Sequence, residues 1–209
     1  MGVRKEKAAR LKIHILDTSL KLVGKKTFDD LYVDDLCDRV KISKVTFFKY
    51  FPCKEDVLLY FFRIWSLSRV IELRDKRREG IQGIYYLFEK LGEDCESRPG
   101  LMKSLVAYLA DFKKPPKPFP VKAEEKLQLF PSVRDVNALE IFSVDQMMER
   151  FIYEAISRKE IGKSSTVRDI TNLLLTTFYG SVISAHTRPI GSAKVFFRKN
   201  VDMILKGIR

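Results

Sequence analysis

Residues 34–58 read DDLCDRVKISKVTFFKYFPCKEDVL, and the spacing of apolar side chains in this stretch decides the fold. Leu36 and Val40 stand four apart, so they share one face of a short helix. Ile42 falls in a turn, and Phe47 and Phe51 repeat the four-residue step on a second helix. Ser43 is a good N-cap for that second helix. Together these residues make the small core of a helix-turn-helix. With Phe47 and Phe51 inward, Lys44, Val45, Thr46, Phe48 and Lys49 point outward. From Arg39 to Lys54 the chain has basic residues and no acidic ones. A short helix offering cations, a hydroxyl and apolar tips suits the major groove of duplex DNA.

The segment resembles the DNA-binding domain of the tetracycline-repressor (TetR) family of bacterial transcriptional regulators. The resemblance rests on Phe28, Val33, Leu36, Ile42-Ser43-Lys44, Phe51-Pro52, Lys54-Glu55 and Leu58. It covers roughly residues 10 to 60, with Ile15, Leu16, Ser19, Leu20 and Val23 as the apolar face of the family's first helix. The likeness implies an all-α fold. Residues 1–53 form a three-helix DNA-binding head, and residues 54–209 a helical body for effector binding and dimerisation. It further implies a ligand-responsive repressor, dimeric on a palindromic operator.

On this reading Lys44, Val45, Thr46, Phe48 and Lys49 meet base edges, and Ser43, Tyr50 and Lys54 hold phosphates. Arg4, Lys5 and Lys7 add backbone or minor-groove contacts. Several positions depart from the family pattern. Thr27 and Lys41 stand where glycines are usual, Tyr32 replaces a capping Ser or Thr, and Val45 a small residue. Cys53 takes the place of a serine cap, and Phe48 that of a tyrosine. Lys41 is therefore expected at positive φ, costing about 1 kcal/mol relative to glycine. The chain is expected to be a divergent member with its own operator preference.

Composition bounds the alternatives. The 209 residues carry a net charge of +12, and 45% are hydrophobic, as in ordinary globular proteins. Residues 1–65 hold +5 of that charge, a density above that of the remainder, as expected of a DNA-facing head. Cys37, Cys53 and Cys95 have no paired spacing, so neither a disulfide framework nor a metal site is expected. No catalytic grouping or phosphate loop is legible, so an enzyme is not expected, nor a cofactor. Without a signal segment or a long apolar run, a cytoplasmic chain with no membrane span is expected. The rival reading is a basic helical adaptor that binds partners or membranes without sequence-specific DNA recognition.

Beyond the head, residues 54–78 read as a linking helix, followed by helices over about 81–95 and 101–112. Arg98-Pro99-Gly100 breaks the chain between them. KKPPKPFP, from Lys113 to Pro120, reads as a loop, and either a cavity lid or an exposed connector is expected there. Capping patterns occur at Ser132–Asp135 and Ser143–Gln146, leaving open one helix to Lys159 or two. Thr166 opens a helix to about Ala185, ahead of a last helix from Ser192 to Leu205. Homodimerisation is assigned to these two, through Ile170, Leu174, Thr177, Ser181 and Ala185 on one and Phe197, Val201 and Ile204 on the other. The alternative is that these stripes pack on the protomer's own core. The effector is expected to be apolar or aromatic, from the aromatic content of the body, with its lining residues unassigned.

Overall fold

The computed structural model describes residues 2–24, 26–111, 119–162 and 165–207. Phe112 and most of the proline-rich stretch, with the lid expected there, lie outside these residues, as do Lys163 and Ile208. The described residues form α-helices and two short 3-10 turns, with no strand. The head comprises α1 (Val3–Val23), a 3-10 turn (Phe28–Asp30), α2 (Val33–Val40) and α3 (Lys44–Tyr50). The body comprises α4 (Asp56–Asp75), α5 (Gly80–Ser97), α6 (Pro99–Leu109), α7 (Ala123–Leu129), α8 (Val144–Ser157), α9 (Val167–Thr187) and α10 (Ala193–Gly207).

Local chemistry explains the head. α2 ends at Lys41, which adopts φ 61°, ψ 49° in the left-handed region. The Lys41 and Ile42 N–H groups both donate to the Cys37 carbonyl, closing the turn. Tyr32 gives α2 no side-chain cap, as a phenol at that position implies. Ser43 caps α3 by accepting from the Thr46 N–H at 3.2 Å. Pro52 disfavours helical backbone at Phe51, which is extended (φ −131°, ψ 92°) and ends the helix. At the start of α4 the expected roles are reversed: the Cys53 N–H donates to the Asp56 carboxylate at 3.0 Å. The acid makes the reciprocal half of a capping box, while the Asp56 N–H that a serine at position 53 would have capped donates to the Cys53 carbonyl at 3.2 Å.

In the body, Pro99 is the first residue of α6, where its missing N–H costs nothing. Of the two capping patterns left open, only Ser143 begins an α-helix. Its hydroxyl accepts from the Gln146 N–H, and the Gln146 side chain accepts from the Ser143 N–H at 2.8 Å. After Ser132 the chain instead makes turns, with Asp135 left-handed at φ 55° before a 3-10 turn, Val136–Ala138. Thr166 caps α9 through the Asp169 N–H at 3.1 Å. One continuous buried core runs from Ile15, Leu36 and Phe47 in the head to Leu87, Phe151, Phe178 and Phe197 in the body. A satellite core under α7 joins Leu67, Ile71, Val136 and Ile141. Head and body therefore share buried side chains rather than meeting across a free linker.

Candidate nucleic-acid interface and effector slot

The helix-turn-helix presents the outward face expected of it. Phe47 and Phe51 are fully buried, while Val45 is 80% exposed, and Ser43, Lys44, Phe48 and Lys49 are exposed beside it. Thr46 is half-buried, and its hydroxyl pairs with that of Ser43 at 3.0 Å. Phe48 stands edge-on to Phe47, with ring centroids 5.2 Å apart, so its position is held from below. Lys44 pairs with Asp34 at 2.7 Å, both exposed, and this hydrogen bond raises its pKa. Lys44 must leave Asp34 to meet a base or phosphate, an exchange that solvent screening makes easy.

Two placements refine the expected contacts. Tyr50 is half-buried on the rim of a cleft of about 1000 Å³ between α1, the end of α3 and α7, which Arg4, Lys5, Lys49 and Lys122 also line. Lys54 is a correction. Its ammonium donates to the carbonyls of Phe28, Asp29 and Leu31 at 3.3, 3.2 and 3.2 Å. The turn that leads into α4 lies against the carbonyl end of the 3-10 turn, whose partial negative charge draws the cation inward. Lys54 therefore ties α4 to the α1–α2 connection and is not displayed for a phosphate.

The expected dimer residues need correcting as well. Ile170, Leu174, Ser181, Phe197 and Val201 are buried in the protomer's own core, and Thr177, Ala185 and Ile204 are half-buried. α9 is apolar on both sides, and the wider inner side packs chiefly on α8 and α6. The outer side carries Leu173 (45% exposed), Ile183 (55%), Thr176, Gly180 and Ser184 without a charge. Met203 on α10 is 65% exposed, and it borders a shallow groove with Thr177, Gly180, Ser184 and Ile204.

A narrower cavity lies deeper in the body. About 250 Å³ is enclosed by Val70, Leu73, Leu139, Phe142, Met147 and Phe151, with Arg74, Arg77, Arg78 and Arg150 at its edge. The guanidinium groups already have partners. Arg74 donates to the Arg134 carbonyl at 3.1 Å, Arg77 bonds Glu79, Arg78 lies 3.8 Å from Glu89, and Arg150 bonds Glu154 at 2.8 Å. Most of these pairs are solvent-exposed and readily exchanged. Arg77 and Arg78 also border a polar basin of about 500 Å³ with Tyr85, Arg158 and Arg198. Of the body aromatics, Trp65, Tyr86, Phe151 and Phe178 are core and Tyr153 is exposed; among the described residues Phe142 and Phe151 line the slot.

Residues 15–61, which span α1 to the first turns of α4, match the model for bacterial regulatory proteins of the tetR family. The DNA-binding head is thus similar to that of the tetR family. With that head, the chain is a DNA-binding regulator of transcription. A relative, the HTH-type transcriptional regulator EthR of Mycolicibacterium smegmatis, is 28% identical over 207 residues, covering 86% of this chain and 88% of its own. Two solved structures share the fold. FadR of Thermus thermophilus, a repressor in complex with lauroyl-CoA, has a TM-score of 0.64 at 18% identity over 95% of both chains. FadR of Bacillus subtilis, in complex with stearoyl-CoA, has a TM-score of 0.65 at 14% identity, over 94% of this chain and 99% of its own.

Sequence reasoning missed the slot, the buried partners of Lys54 and a buried Lys12–Glu125 pair. The slot's arginines were visible only as the charged run after α4 and as single residues elsewhere. Nothing in their spacing announced that they converge.

Proposed function

We propose that this protein is a dimeric, effector-responsive repressor that acts by binding and not by turnover. The observation that carries the reading is the uncovered face of α3, with its apolar and cationic tips resting on a buried phenylalanine pair. Val45, Thr46, Phe48 and Lys49 read bases; Lys44 joins them on leaving Asp34. Ser43, Tyr50 and the basic rim of the adjoining cleft hold the backbone. Two copies associate through the outer faces of α9 and α10, centred on Leu173, Ile183 and Met203. Two-fold pairing places two recognition helices on half-sites about one helical turn, roughly 34–36 Å, apart.

The effector enters the slot bounded by α4 and α8. Its apolar walls and arginine edge suit a molecule with an apolar tail and an anionic end, a class to which the acyl-CoA ligands of both FadR structures belong. At about 250 Å³ the slot is smaller than the roughly 300–1,000 Å³ usual for small-molecule pockets. Occupancy must widen it, and that widening gives the effector different affinities for two states, without which nothing would shift. Isolating genomic DNA fragments on the purified protein tests the reading. Recovery of a palindromic sequence supports it; recovery of fragments without a shared sequence refutes it. Release of that operator by a long-chain acyl-CoA, and not by the uncharged alcohol of the same chain, tests the effector class.

A further inference from the structure

Head and body are joined by a buried polar contact that neither DNA binding nor effector binding explains. Lys12, midway along α1, is 5% exposed, and Glu125, on the first turns of α7, is 3% exposed. The ammonium lies 3.0 Å from both Glu125 oxygens and 3.2 Å from the Pro120 carbonyl. It also sits 4.2 Å over the Tyr60 ring and 4.6 Å over the Phe119 ring. Phe119 in turn stacks on Phe51, with centroids 5.4 Å apart and planes at 13°, and Phe51 is the residue that ends the recognition helix. A body segment, residues 119–125, is thus wedged among α1, α4 and the end of α3.

The other side of that segment reaches the slot. Leu127 and Phe130 pack on the satellite core formed with Leu67 and Ile71 of α4. The Lys126 ammonium donates to the Leu139 carbonyl at 2.7 Å, and Leu139 is a wall of the slot. Leu139 is thus tied to α7, and residues 119–125 tie α7 to Lys12 and Phe51.

We propose that Lys12, Glu125 and Phe119 form a clasp that sets the orientation of the recognition helix on the body. In the dimer, the clasp thereby sets the half-site spacing the protein accepts. Lys12 and Glu125 are positioning residues: they lie buried at the floor of the cleft whose rim meets DNA, and α7 carries slot occupancy to the head. The proposal rests on the dimeric repressor reading above. An ion pair suits this role because both charges are satisfied in only one geometry, whereas a greasy contact tolerates sliding. Removing one partner strands a buried charge, but replacing both by apolar residues of similar volume is often neutral for stability.

The test uses the full-length dimer and the operator recovered from genomic DNA. Affinity is measured on that operator and on versions with one base pair inserted or removed between half-sites. Wild type is expected to lose about tenfold or more on the altered spacings, and Lys12→Met/Glu125→Met less than about threefold while melting like wild type. Lys12→Arg, which keeps the charge, should restore part of the discrimination, an effect that a purely space-filling role would not produce. A well-folded double variant with the wild-type spacing penalty overturns the proposal. Should that variant fail to fold, Phe119→Leu, which loosens the stack on Phe51 and leaves both charges paired, decides in the same assay: a blunted penalty supports the clasp and an undiminished one overturns it. Wild type binding no duplex selectively would sink the repressor reading itself, a result distinct from any of these.

Discussion

The close approach of head and body at Gly100 yields a quantitative expectation. Gly100 is buried in the first turn of α6, and a Cβ added there would lie 1.8 Å from the Lys26 carbonyl oxygen and 2.4 Å from its carbon. Carbon–oxygen contacts ordinarily close no nearer than about 3.3 Å, so Gly100→Ala requires a retreat of about 1.5 Å. Both groups belong to the backbone, so no side chain can swing aside. Overpacking of this kind costs about 1–3 kcal/mol, and the rigidity of both partners places it at the upper end. The same retreat weakens the bond from the Phe28 N–H to the Ser104 hydroxyl, at 3.0 Å, worth about 1 kcal/mol. Alanine's better helix propensity offsets up to about 1 kcal/mol. The net loss is about 3 kcal/mol, which at about 2–4 °C per kcal/mol lowers Tm by about 6–12 °C. Thermal unfolding followed by circular dichroism measures this directly. A variant that melts with wild type, or above it, refutes the packing argument.

Other expectations follow from individual placements. Lys49→Ala should flatten discrimination between operator variants with Tm unchanged, whereas Lys54→Ala should lower Tm, because three carbonyls lose a charged donor worth about 1.5–3 kcal/mol; competition binding and melting separate the two. Ile183→Asp should convert dimer to monomer in analytical ultracentrifugation with the protomer still folded. Phe197→Ala, within the core, should instead cost about 3–5 kcal/mol of stability. An alanine Cβ at Gly83 would meet the Phe151 ring at 2.3 Å, so Gly83→Ala should push that ring into the slot and blunt effector-driven release in a gel-shift titration. Burial pushes the Cys95 thiol up to about 12 and raises those of Cys37 and Cys53 as well, but Cys53 alone of the three is only half-buried. Iodoacetamide at about pH 8 should therefore label half-buried Cys53 first, and mass-mapped labelling of Cys37 or Cys95 at the same rate would contradict their burial.

The head was legible because its determinants are local. Leu36, Val40, Phe47 and Phe51 are buried as their four-residue spacing implies, and Lys41 takes the left-handed turn the alignment of motifs demanded. Capping chemistry likewise found Ser143 and Thr166, but it could not reject Ser132, since only the chain's turn at Asp135 decides that. α7 was invisible for a physical reason. It buries Glu125 and Lys126 rather than an apolar stripe, so a search for hydrophobic periodicity passes over it. The dimer faces were not legible because α9 is apolar on two sides, and sequence alone does not say which side the protomer keeps. The slot is assembled from the end of α4, the segment before α8 and α8 itself, and convergence over that range leaves no periodic trace.

Regulation by this protein requires that the outward face of α3 read a sequence. Binding of the purified protein to its selected operator and to random duplex, compared at about 150 mM salt, addresses it directly, because a polycation loses affinity for all duplexes alike as salt rises. A preference of about 1,000-fold or more for the operator, much reduced in Lys49→Ala, is the expected result. Equal affinity for both duplexes would contradict the account.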